Sequence, residues 1–271
     1  MLKSMKTGGR AWTRSLSVLA RSPIYVIALA AVAGLWCLAG YEWLWLPESS
    51  GWVLALTFVW ILALAAIALA VLAGSVASVS SAAAGTDRRL RLRRILCFEK
   101  KRLGRTFVVV LAGLLLFFVL GAMFGWLNSH ALAVASFLTF HLQHPVSYVP
   151  ISNILWVIEA LVWIVFAGFV MTWLLVFSNP PRPASTRNTS KMLAGSISLS
   201  VFLTGLLSAV VFGGLAWLLA TWHPVVKAGG WDYAQLVVRN GAALLLLTLG
   251  WLFWGLALAR LMEPAELPPR S

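Results

Sequence analysis

The sequence predicts an all-α membrane protein of six transmembrane helices in three hairpins, with amphipathic interfacial helices. Three observations carry this. Hydrophobic residues make up 61% of the 271 positions and charged residues 11%, against about 45–50% and about 25% in soluble domains. Six apolar runs, at 24–46, 52–76, 106–127, 151–177, 193–222 and 238–261, each reach the roughly 20 residues a helix needs to cross the hydrocarbon core. Lysine and arginine gather in alternate connections between those runs, the bias that fixes membrane orientation. The runs must be helices, because lipid satisfies no open backbone groups. The chain divides into a basic segment 1–23, a transmembrane domain 24–261 and a short cytoplasmic tail 262–271.

The first segment carries Lys3, Lys6, Arg10, Arg14 and Arg21. Helical spacing puts Trp12, Leu16 and Leu19 on one side of it and Arg10, Arg14 and Ser17 on the other. It is expected to lie on the inner leaflet, with Pro23 separating it from the first span. That span follows a basic stretch as a signal peptide does. It is longer than a signal core and lacks a small-residue cleavage site, so it is read as a retained anchor.

The connection after the second span holds Arg88, Arg89, Arg91, Arg93, Arg94, Lys100, Lys101, Arg102 and Arg105. Over 87–105, Leu92, Ile95, Leu96 and Leu103 are expected to share one helical face opposite the cations. Arg93, Arg94, Lys100 and Lys101 then become candidates for docking anionic lipid headgroups or a cytoplasmic partner, with Glu99 as a specificity contact. The connection after the fourth span adds Arg182, Arg187 and Lys191 around an irregular hinge with Pro180, Pro181 and Pro183. With six crossings these segments share one side. The protein is therefore expected in the inner (plasma) membrane with both termini cytoplasmic.

Between the third and fourth spans, Ala131–Leu142 is apolar but too short to cross, which suggests an interfacial or re-entrant helix bounded by Pro145 and Pro150. His130, His141 and His144 lie here. No neighbouring Asp, Glu or Cys completes a metal set, so backbone or water partners are expected for them.

Small residues mark where helices pack in lipid. The second span offers Ala66, Ala70, Gly74 and Ser78 at successive i+4 spacing. The third offers Gly121 and Gly125, and the fifth Gly205, Ala209 and Gly213 beside Ser196, Ser200, Thr204 and Ser208. That hydroxyl stripe either bonds across helices or lines a path. Glu159 is the one acidic residue well inside a run. Counting 1.5 Å per residue from a span start near Ile151 puts it about 12 Å below the outer boundary. It reads either as an interhelical clasp or as a proton or cation site. Candidate partners are the Trp217 indole, the backbone near Gly213 and Gly214, and His130.

The net charge of +13 fits positive-inside loops, and no stacking platform or zinc pattern points to nucleic acid. Cys37 and Cys97 fall at different depths and are not expected to pair. Neither H-E-x-x-H nor G-x-S-x-G occurs, and no acidic pair lies within the spans. No cofactor or metal is expected. In architecture alone, the N-terminal interface helix, six spans and basic loop resemble the permease subunits of ABC exporters. The resemblance supplies no family motif, so no residue role is carried over from it. The leading expectation is a non-catalytic membrane subunit or scaffold of a larger assembly. A permease with a polar path near Glu159, Ser200, Thr204 and Ser208 is second, and an intramembrane enzyme third.

Overall fold

A computed structural model describes residues 2–43, 50–85, 87–96, 100–178, 198–222 and 229–262. Every regular element among them is helical: α1 (Leu2–Ala20), α2 (Pro23–Trp43), α3 (Gly51–Ala83), α4 (Arg93–Leu96), α5 (Lys100–Ser129), α6 (Ala131–Leu142), α7 (Tyr148–Ser178), α8 (Leu199–Ser208), a π-turn (Ala209–Gly213), α9 (Gly214–Thr221) and α10 (Gly229–Met262). Six helical stretches are long and apolar enough to cross a membrane. The fifth is α8, the π-turn and α9 taken together.

The long helix α10 is the hub. It packs against α1, α2, α3, α7, α8 and α9. Its glycines and aromatics fix these approaches. Trp254 lies between Gly168 of α7 and Gly205 of α8, where an added Cβ would stand 3.3 and 2.9 Å from the indole. At Gly255 an added Cβ would stand 2.6 Å from the Met171 side chain. Val76, Val79, Leu174, Leu252, Phe253 and Leu256 complete this core. Without a hydrophobic gradient inside a bilayer, such close packing is what holds helices together.

The boundaries depart from the apolar runs where polar residues find partners. α3 continues past Val76 to Ala83. There Ser80 and Ser81 donate to the Val76 and Ala77 carbonyls at 2.8 and 2.7 Å, and residues 87–96 pack over this end. α10 starts at Gly229, before the expected 238, and within it Arg239 reaches across to the Ala220 carbonyl at 3.1 Å. This satisfies an orphan carbonyl and places a cation at the negative end of α9. Pro150 falls in the first turn of α7, where its missing N–H costs nothing.

One expected amphipathic face gains a bundle contact and another is corrected. In α1 the buried side is Ala11, Ser15, Val18 and Leu19, while Leu16 is 49% exposed. The helix turns its small residues inward because it docks on α10 as well as facing its surroundings. The segment 87–105 is not one amphipathic helix. It forms the single turn α4, and from Lys100 it is already α5. Leu92 is exposed and Leu90 is buried instead. The cause is backbone bonding. The Leu90 N–H donates to Ser22 Oγ at 3.0 Å and the Arg91 N–H to Ser78 Oγ at 3.2 Å, which holds this stretch in an irregular path.

Candidate functional site

The residues that the sequence singles out fall in three places. At the basic end, Asp87 is buried and forms ion pairs with two guanidiniums, Arg91 at 2.8 Å and Arg94 at 2.7 Å. Arg94 also donates to Ser81 Oγ. One carboxylate thus clamps two cations that would otherwise repel. Arg94, expected as a docking cation, is turned inward to hold the loop. Arg88, Arg89, Arg93 and Lys101 are exposed. Glu99, Cys97, Arg182, Arg187, Lys191 and the tail from residue 263 lie outside the described residues, as does the Lys100 side chain. Gly74 serves this loop directly. An added Cβ there would meet the Ile95 Cα at 2.5 Å and the Arg94 carbonyl at 3.1 Å. Ala66 is exposed and Ala70 half-buried on the same ridge.

The second place is the first half of the fifth span. Thr204 is fully buried. Its hydroxyl donates to the Ser200 carbonyl at 2.7 Å and accepts the Trp12 indole N–H at 3.0 Å. Ser208 donates to the Gly250 carbonyl of α10 at 2.9 Å. The hydroxyl stripe therefore ties α8 to α1 on one side and to α10 on the other. Ser196 and His223 lie outside the described residues. The π-turn follows at once, and Phe212 within it packs on Phe253 with ring centroids 5.6 Å apart. A single π-turn rotates the rest of a helix relative to its start. Here it separates the buried hydroxyl half from a second half in which Leu215, Trp217 and Leu218 are exposed. A Cβ added at Gly213 would meet nothing within 4 Å, and the same holds at Gly121 and Gly125.

The third place is Glu159, and its expected partners are corrected. One carboxylate oxygen accepts from the Trp163 indole at 3.2 Å and the other from the Asn128 side-chain amide at 3.3 Å. Trp217 is exposed, and His130 is engaged with the Trp126 carbonyl at 2.8 Å. Trp163 sits at i+4 from Glu159, a spacing visible in the sequence. Asn128 comes from the far end of α5, and nothing in the sequence pairs the two. Asn128 stands at the end of α5, so Glu159 is level with that helix end, and α7 starts beyond it, beside α6.

His141 is engaged with the Phe137 carbonyl at 3.1 Å, a backbone partner like that of His130. Among the described residues no group of three His, Cys, Asp or Glu side chains converges as a metal site.

The fold and these sites define a polytopic helical membrane protein. No known protein family matches the chain, and no curated protein or solved structure matches it.

Proposed function

We propose that the chain is a non-catalytic membrane subunit or scaffold of a larger assembly. In this reading its spans form three hairpins in the inner (plasma) membrane, with both termini cytoplasmic and with α1 and α6 at the two interfaces. Arg93, Lys100 and Lys101, with Glu99 beside them, meet anionic headgroups and a cytoplasmic partner.

One observation carries the reading. The polar groups that a transport path would use are engaged in joining helices: Thr204 to Trp12, Ser208 to Gly250, and Glu159 to Asn128. The smooth face at Gly121 and Gly125 meets nothing within this chain, and small-residue faces of that kind let a further helix approach closely.

The test is partner recovery from mild detergent. Glu159→Gln keeps the size of the side chain and one acceptor oxygen, and is expected to leave insertion and recovered partners unchanged. Gly121→Leu is expected to keep the folded monomer and lose partners. The opposite pattern, with partners lost on Glu159→Gln and kept on Gly121→Leu, would overturn the scaffold reading in favour of a path through Glu159.

A further inference from the structure

α2, α3 and α10 leave an open-sided groove of ≈ 330 Å³ between them. That lies within the range of about 300–1,000 Å³ typical of small-molecule sites. Leu29, Trp36, Ile67, Val71, Leu247 and Trp251 form most of its wall. Trp36, Ile67 and Leu247 are 42, 50 and 52% exposed, so the groove opens sideways to the surroundings of the bundle.

Three of the polar groups that border it are already engaged. Ser75 Oγ donates to the Leu72 carbonyl and Thr248 Oγ1 to the Leu244 carbonyl, both at 2.8 Å. The Trp36 indole donates to the Leu64 carbonyl at 2.9 Å. With these groups engaged, the wall is almost wholly apolar. An apolar groove within a bilayer does not stay empty, because its lining would forfeit dispersion contacts that a hydrocarbon chain supplies.

Along the bundle the groove narrows at one end, where Gly34 lets Leu244 approach, with 3.2 Å to an added Cβ, and Trp36 bridges to α3. At the other end its lining reaches Ser75. The run from Ile67 to Ser75 is about 12 Å at 1.5 Å per residue. Ser75 adjoins Gly74, on which the Ile95 backbone rests, so the basic loop stands at this rim. Asp87 pairs with Arg91 and Arg94 and offsets one of their two charges. Exposed Arg88, Arg89 and Arg93 have no such carboxylate among the described residues and leave the rim cationic.

We infer that the groove holds one acyl chain of an anionic phospholipid, whose phosphate lies against Arg88, Arg89 and Arg93. This rests on the proposed role of the basic loop as a lipid-docking surface and adds a defined site to it. It turns a diffuse attraction to negative headgroups into a bound, stoichiometric lipid.

The test uses the full chain in nanodiscs of equal phosphatidylcholine and phosphatidylglycerol, released into mild detergent and weighed intact. The wild type is expected to retain one phospholipid, enriched in phosphatidylglycerol. Ala68→Trp, which fills the groove from α3, is expected to lose that lipid, and Ala33→Phe fills it independently from α2 should the first variant fold poorly. The triple change Arg88→Gln, Arg89→Gln and Arg93→Gln is expected to keep a lipid but lose the enrichment. A wild type that retains no lipid, or filled variants that retain as much as the wild type, would overturn the inference. If the filled variants keep the lipid and the arginine changes remove it, the groove assignment fails while basic docking stands. If enrichment survives the arginine changes, the headgroup assignment fails along with that docking role.

Discussion

Gly74 and Gly121 carry the same signature, a small residue four positions from another, in neighbouring long helices. An added methyl at Gly74 would strike the Ile95 backbone, and one at Gly121 would meet nothing within 4 Å. The contrast extends to the regions around them. Near Gly74 the residues from Ala73 to Val79 are all buried, under a loop tied down by Ser22, Ser78, Ser81 and Asp87. Around Gly121 the third span shows Leu115, Phe118, Val119 and Met123 to its surroundings. The same local pattern therefore closes one region of the molecule and leaves the other free. The spacing supplies a smooth surface, and only the rest of the fold decides whether something already occupies it.

The contrast can be broken or sharpened by substitution. The largest effect is expected for Gly74→Leu. The obstructing atom belongs to backbone, so the loop must move as a unit. A loss of about 3 kcal/mol, the upper end for overpacking, is expected in detergent unfolding. Gly121→Leu is expected to stay within about 0.5 kcal/mol in the same assay. Equal effects at the two glycines would erase the distinction between the regions.

Asp87→Ala comes next. It strands two guanidiniums, both partly exposed to solvent, so a loss of about 1–3 kcal/mol is expected. The diagnostic result is faster hydrogen exchange at the Leu90 and Arg91 amides, with the exchange of α5 and α7 unchanged.

Thr204→Val is the smallest of the losses. It keeps the shape and removes the acceptor of the Trp12 indole, for about 0.5–1.5 kcal/mol. Increased protease cleavage within α1 is the readout. No change in cleavage would show that α1 is held by its apolar face alone.

The six spans were legible because length and apolarity suffice for them. α6 was legible to its end residues because Asn128 to His130 and Gln143 to Pro145 bracket a run too short to cross. Helix faces were not, because in lipid an apolar residue serves equally well inside or outside the bundle. Leu16 and Leu19 illustrate this: hydrophobicity placed both on one side of α1, yet Leu16 is exposed and Leu19 is buried beside Ala11 and Ser15. The clasp at Glu159 was half legible, through Trp163 on its own helix. Its other half, Asn128, depends on where α5 ends relative to α7, which no local spacing encodes. The buried Asp87 was hidden among arginines, where it reads as one minor charge in a basic run.

The position of α10 in chain order has a consequence for biogenesis. It follows in the polypeptide every helix it joins, so α1, α2, α3, α7 and α8 all leave the ribosome before their common partner exists. Until then the notch between Gly168 and Gly205 lacks the Trp254 ring, and Ser15 lacks Arg260, which reaches it at 3.4 Å. The earlier spans can insert one after another, but their consolidation waits for the last one. A nascent chain stalled before residue 229 would thus be threaded through the bilayer yet unassembled, open to the quality-control machinery that recognises orphaned segments.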